Sequence, residues 1–156
     1  MSIKLSQILS TDRVLCNVGC TSKKSALEKL AELIASGSPD LTQSEVFECL
    51  FSRERLGSTG LGNGIALPHG RLKNGKQTLA AFIRLQSGID YDAIDHKPVD
   101  LLFALLVPEE STDEHLKILS TLAELFSDKD FLDRLRAEQS SDVVFGLLTD
   151  KSHVKQ

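Results

Sequence analysis

The run Val99–Val107, reading VDLLFALLV, constrains the fold of this chain more than any other segment. Only Asp100 interrupts it. A strand that is apolar at successive rather than alternate positions has to be covered on both faces, as the central strand of an α/β sheet is. Its uninterrupted part, Leu101 to Val107, is far short of the ~20 apolar residues that a membrane-spanning helix needs. The rest of the chain must therefore supply helical layers for both faces of a sheet.

The flanking segments read that way. Arg13 to Val18 alternates as a strand. Ser22 opens a helix with Ala26, Leu27, Leu30, Leu33 and Ile34 at helical spacing, ended by Gly37 and Pro39. Thr42 and Glu45 have the spacing of a capping box, and the helix they open carries Val46, Phe47, Leu50 and Phe51 to about Glu54. Thr78 to Gln86 reads as a strand. The polar link Gly88–Pro98 allows it to pair antiparallel with the central strand. Ser111 and Glu114 repeat the capping-box spacing before a helix whose expected buried face is Leu116, Leu119, Leu122, Ala123 and Phe126. Lys4 to Leu9, Asp128 to Glu138 and Ser141 to Leu148 read as short helices. With no repeat and no low-complexity linker, the expectation is one α/β domain over residues 1–156, a sandwich with a mixed β-sheet flanked by helices.

Charge narrows the function. Eighteen Lys and Arg stand against 22 Asp and Glu, a net charge of -4, and no aromatic-interleaved basic patch appears, so the chain is a poor candidate for binding a nucleic-acid backbone. The first ten residues lack the apolar core of a signal peptide, and no segment is long enough for membrane insertion, so a cytoplasmic location is expected. Cys16, Cys20 and Cys49 form neither a disulfide framework nor a zinc spacing, and read as small, buried or half-buried side chains.

The chemistry concentrates between Arg53 and Arg71, RERLGSTGLGNGIALPHGR. Five of the ten glycines fall between Gly57 and Gly70, and only Ile65 to Leu67 reads as a short strand there. Gly-rich backbone can approach an anion closely, but the Walker and GxGxxG patterns both fail, and no nucleotide cofactor is expected. His69 lies between Pro68 and Gly70, held by main chain on both sides. Imidazole is neutral near pH 7 and nucleophilic toward phosphorus. The residues alone leave two readings open, a nucleophile or a strand-end histidine bonded to a nearby carbonyl. His115, in the first turn of the helix opened by Ser111, reads first as a surface residue, the usual fate of a His at a helix start, with a donor to an anion beside His69 as the functional alternative. His96 and His153 read as solvated. The acidic group Glu109, Glu110, Asp113 and Glu114 suits a helix N-terminus. No third ligand near His69 and His115 supports a metal-dependent hydrolase.

The run STGLGNGIALPHGR resembles the active-site signature of the type-2 IIA proteins of the bacterial phosphotransferase system, the mannitol and fructose class. LSQILSTDRVL, SALEKLAELIA, PVDLLFALLVPEE and EHLKILSTLAELF extend the resemblance over nearly the whole chain. Gly70 and Arg71 after the histidine make it most similar to the nitrogen-regulatory branch. The resemblance implies a phosphotransferase-type phosphocarrier, with the phosphoryl group accepted on His69 and His115 and Arg53 beside it. Arg55 does not fall on the matching position. Implied partners are a histidine-containing phosphocarrier protein as donor and regulatory target proteins as readers. The alternative within the family is a sugar-specific component feeding a separate permease. The amides of the Gly-rich segment would donate to the phosphoryl group, and Leu61 and Leu67 would form an apolar rim.

Overall fold

The structure is a computed structural model describing residues 4–73 and 75–150; His153 lies outside the described residues. After two 3-10 turns, Leu5–Gln7 and Thr11–Arg13, come β1 (Val14–Val18), α1 (Lys23–Ala35) and α2 (Gln43–Leu56). Three short strands follow, β2 (Gly60–Gly62), β3 (Ile65–Ala66) and β4 (His69–Leu72). The long pair β5 (Leu79–Ile89) and β6 (Val99–Pro108) leads to α3 (Thr112–Leu125), α4 (Lys129–Ala137) and α5 (Ser141–Thr149). Only one 3-10 turn forms within the segment Lys4–Leu9, where a helix was expected, and its apolar residues Leu5, Ile8 and Leu9 are buried.

The strands form one mixed sheet in the order β1-β5-β6-β3-β2. β5 pairs antiparallel with β6 from Leu79↔Leu106 to Ile89↔Val99, as the polar link between them allows. β3 and β4 lie end to end along the other edge of β6, both parallel to it. β6 divides its side chains between two cores. Leu101, Phe103, Leu105 and Val107 pack with α3, α4 and α5, while Leu102, Ala104 and Leu106 pack with α1 and α2. Each of these larger side chains, fully buried, contributes about 1.5–3 kcal/mol of hydrophobic stabilisation. This is the sandwich with a mixed β-sheet flanked by helices that the apolar run demands.

The helix starts differ from expectation at one place. Ser22 and Thr42 accept hydrogen bonds from the N–H groups of Ser25 and Glu45. Ser111 makes no side-chain cap, and the Glu114 carboxylate instead accepts from Thr78 Oγ1 at 3.3 Å. The buried stripe of α3 is His115, Ile118, Leu122, Leu125 and Phe126. Leu116 is 62 % exposed, and Ala123 is exposed as well. The stripe is rotated by one position because a histidine occupies a place where an apolar residue would have marked it.

Candidate functional site

β4 exists because β6 offers it a template. Its residues His69, Gly70, Arg71 and Leu72 pair with Leu105, Leu106, Val107 and Pro108. Sequence shows no strand here, since four residues with a glycine carry no alternation. Paired residues of parallel strands share a face, so His69 and Arg71 lie on the Leu105 side of the sheet, toward α3. Gly70 lies on the α2 side, where a Cβ would stand 2.6 Å from Cys49 Sγ and 3.1 Å from its carbonyl oxygen. Only glycine lets α2 come this close to the strand.

A cleft of about 540 Å³ opens above β4 at this sheet edge. α2 supplies Cys49, Ser52, Arg53 and Leu56 to one wall, and α3 supplies His115, Leu116 and Leu119 to the other. Glu109, just after β6, completes it with His69, Gly70 and Arg71. The three residues singled out in the sequence, His69, His115 and Arg53, thus share one cleft. The rings of His69 and His115 meet at a centroid distance of 5.5 Å. Arg53 Nη1 donates to the carbonyl oxygen of Gly57 at 2.8 Å. Arg55 lies over the Phe51 ring and donates to Ser52.

The half-buried His69 ring is fixed by one bond. Its Nδ1 lies 2.7 Å from the carbonyl oxygen of Leu67, which can only accept, so Nδ1 carries the proton and donates. In the neutral ring Nε2 then keeps its lone pair. Burial holds the His69 pKa below the ordinary value; the bond to Leu67 opposes this, Arg53 adds to it, and Glu54 opposes it. Burial also lowers His115, helped by the charges of His69 and Arg71. Among the described residues, the buried His115 Nε2 has no hydrogen-bond partner. An unpaired polar atom of this kind costs about 1–3 kcal/mol, which a ligand oxygen would relieve. The Cys49 thiol is pushed up to about 11 by burial and stays protonated.

Two expectations are corrected. Gly57 caps the end of α2, Gly60, Gly62 and Gly64 build the β2–β3 hairpin, which turns at Gly62-Asn63-Gly64 with all three at positive φ, and only Gly70 of the cluster lines the cleft. The apolar rim is Leu56 and Leu116, 84 % and 62 % exposed, with Leu119 beside them; Leu67 is buried and Leu61 lies on β2. Sequence reasoning also missed Glu54. It is buried, and it continues the core stripe Val46, Leu50 at the next four-residue step, a spacing that was there to be read. Among the described residues, no three His, Cys, Asp or Glu side chains converge as a metal-binding set, and no helix is long and apolar enough to cross a membrane.

Comparison with known proteins agrees with this architecture. The model of the family "Phosphoenolpyruvate-dependent sugar phosphotransferase system, EIIA 2" matches residues 7–151. A nitrogen regulatory protein of Pseudomonas aeruginosa is 45% identical over 148 residues, covering 95% of this chain and 96% of that one. The crystal structure of nitrogen regulatory protein IIA-Ntr from Neisseria meningitidis has a TM-score of 0.88 and 45% identity, covering 93% of this chain and 99% of that one. A fructose-specific EIIA component of Haloferax volcanii is 34% identical over 128 residues, 82% of this chain and 83% of that one.

Proposed function

Because the chain belongs to the EIIA type 2 family of the phosphoenolpyruvate-dependent sugar phosphotransferase system, we propose that its 156 residues form one phosphocarrier domain that accepts a phosphoryl group on His69 Nε2. The observation that carries this reading is the fixed tautomer of His69 in a cleft shared with Arg53 and the unpaired His115 Nε2. The donor is a histidine-containing phosphocarrier protein. The Nε2 lone pair attacks phosphorus in line. The new P–N bond forms as the donor's P–N bond breaks, and that electron pair returns to the donor's ring nitrogen. Nδ1 keeps its proton on Leu67 throughout. The transferring group is only loosely bonded to either nitrogen, so the residues around it act by position and charge. Arg53 neutralises equatorial oxygens with its planar fork, and His115 Nε2–H donates to another. Leu56, Leu116 and Leu119 form the apolar contact that excludes water while two proteins share the group.

The higher identity to nitrogen regulatory proteins favours a regulator whose phosphorylation state is read by target proteins. The Haloferax relative supports a second reading, a fructose or mannitol component feeding a separate permease. Incubating the purified protein with phosphoenolpyruvate and the general phosphotransferase proteins tests the shared core of both readings. One phosphoryl group on His69 Nε2 is expected. Absence of label, or label retained by His69→Ala, refutes the assignment.

A further inference from the structure

Glu54 stands one residue beyond Arg53 on α2 but points the other way, into the protein, where it is 5 % exposed. A carboxylate buried this deeply is stable only with partners for its charge and lone pairs. It has four groups around it. Lys23 Nζ of α1 lies 2.8 Å away. Tyr91 OH, in the link between β5 and β6, donates at 3.0 Å. The Thr59 backbone N–H donates at 3.2 Å, and the Thr59 hydroxyl donates as well. Lys23 also rests over the Tyr91 ring.

Two paths lead from this carboxylate to the cleft. One is short: the turn after α2 is tied to Glu54 by Thr59, and the same turn presents the Gly57 oxygen to Arg53. The other is a continuous row of hydrogen bonds through the β2–β3 hairpin. Glu54 accepts from Thr59 N, the Thr59 oxygen accepts from Leu67 N at 3.0 Å, and the Leu67 oxygen accepts from His69 Nδ1. Thr59 and Leu67 each use both backbone groups in this row, so displacing one end moves the next bond.

We propose that Glu54 is a positioning residue for the cleft, holding Arg53 through the Gly57–Thr59 turn and orienting the His69 ring through Thr59 and Leu67. Its effect on phosphoryl transfer rests on the reading of His69 given above. Glu54 touches neither His69 nor the transferring group. It makes the Leu67 oxygen a fixed acceptor, which keeps the proton on Nδ1 and the lone pair on Nε2. Its negative charge also offsets the Arg53 guanidinium at His69. The other titratable groups lining the cleft with His69 are Arg71 on β4, His115 on α3, Glu109 after β6 and the protonated Cys49 thiol on α2.

The test is a ¹⁵N-histidine NMR titration of the free, full-length protein, comparing wild type with Glu54→Gln. In the variant, the His69 midpoint should fall by roughly half a unit to one unit, as expected for loss of one carboxylate in a partly buried site. The share of the ring protonated at Nδ1 should fall too. Transfer from the phosphocarrier should lose roughly tenfold in kcat with little change in KM, because docking is untouched. A folded Glu54→Gln protein with wild-type midpoint and tautomer overturns the proposal. If that variant does not fold, the neutral pair Lys23→Gln with Glu54→Gln replaces it, and the tautomer alone decides. The titration needs no phosphoryl donor. A wild type that never takes up label would therefore refute the carrier reading and leave this result standing.

Discussion

His69 on β4 and His115 on α3 meet edge to face, their ring planes at 69° and their centroids 5.5 Å apart, yet their hydrogen bonding is opposite. His69 is anchored through Nδ1, whereas His115 Nε2 is buried without a partner among the described residues. The anchored ring is suited to attack and the unpaired nitrogen to receive an oxygen. His69→Ala is expected to abolish labelling and leave the fold intact by circular dichroism. His115→Ala should slow labelling on the order of a hundredfold, the usual loss for one transition-state donor. Steady-state phosphate found on His115 would reverse the two roles.

Arg53 is expected to act through geometry as well as charge. Arg53→Ala should slow transfer about a hundredfold. Arg53→Lys should recover only part of that, because an ammonium cannot present two parallel donors to a phosphoryl group. Single-turnover rates with a phosphorylated donor check this, and full recovery with lysine would exclude the bidentate role.

The pH dependence has a definite sign. Both histidines have pKa values below the ordinary 6.5 in the folded protein, chiefly through burial. Below pH 6.5 the unfolded chain therefore binds more protons than the folded one at these sites. Their contribution is fully present above that pH and is lost on acidification toward the lowered folded values. Urea midpoints should fall between pH 7.5 and 5.5, and the fall should be smaller when both histidines are replaced by Gln. An equal fall in that variant would assign it to other groups.

Gly70→Ala places a methyl against Cys49 Sγ and the Cys49 carbonyl, so α2 must move away from β4. Overpacking of this kind costs about 1–3 kcal/mol. Equilibrium denaturation should show that loss, and transfer should slow as Arg53 moves with its helix. Adding Cys49→Ala should restore part of the stability, since the nearer of the two clashes is with its sulfur.

Phosphorylation is expected to act on the surface and not by refolding. Amide shifts should concentrate at Arg53, Gly57 to Arg71 and His115. In α1 they should be limited to its start, where Lys23 meets Glu54 at 2.8 Å. Shifts along the whole of α1 would require a larger rearrangement than preorganised donors imply.

Much of this protein is determined by local pattern. The apolar run Val99–Val107 requires a sheet covered on both faces, and the 3.6-residue spacing of α1 and the cap at Thr42 mark helices without tertiary help. The PHG run marks His69 as a candidate with two readings open, and the resemblance of STGLGNGIALPHGR to the family signature chooses between them. Tertiary structure alone decided the rest. β3 was legible as the short strand expected over Ile65 to Leu67, but β2 and β4 are too short and too rich in glycine to have a periodicity, and they form because β3 and β6 offer backbone partners. The face of α3 was misread because His115, a polar residue, takes a buried place in the stripe, against the ring of His69. Glu54 falls on the Val46–Leu50 stripe of α2, a spacing that marks the position as buried but not what meets it there. Its burial depends on Lys23, Thr59 and Tyr91 arriving from three other parts of the chain, and no local pattern records that meeting.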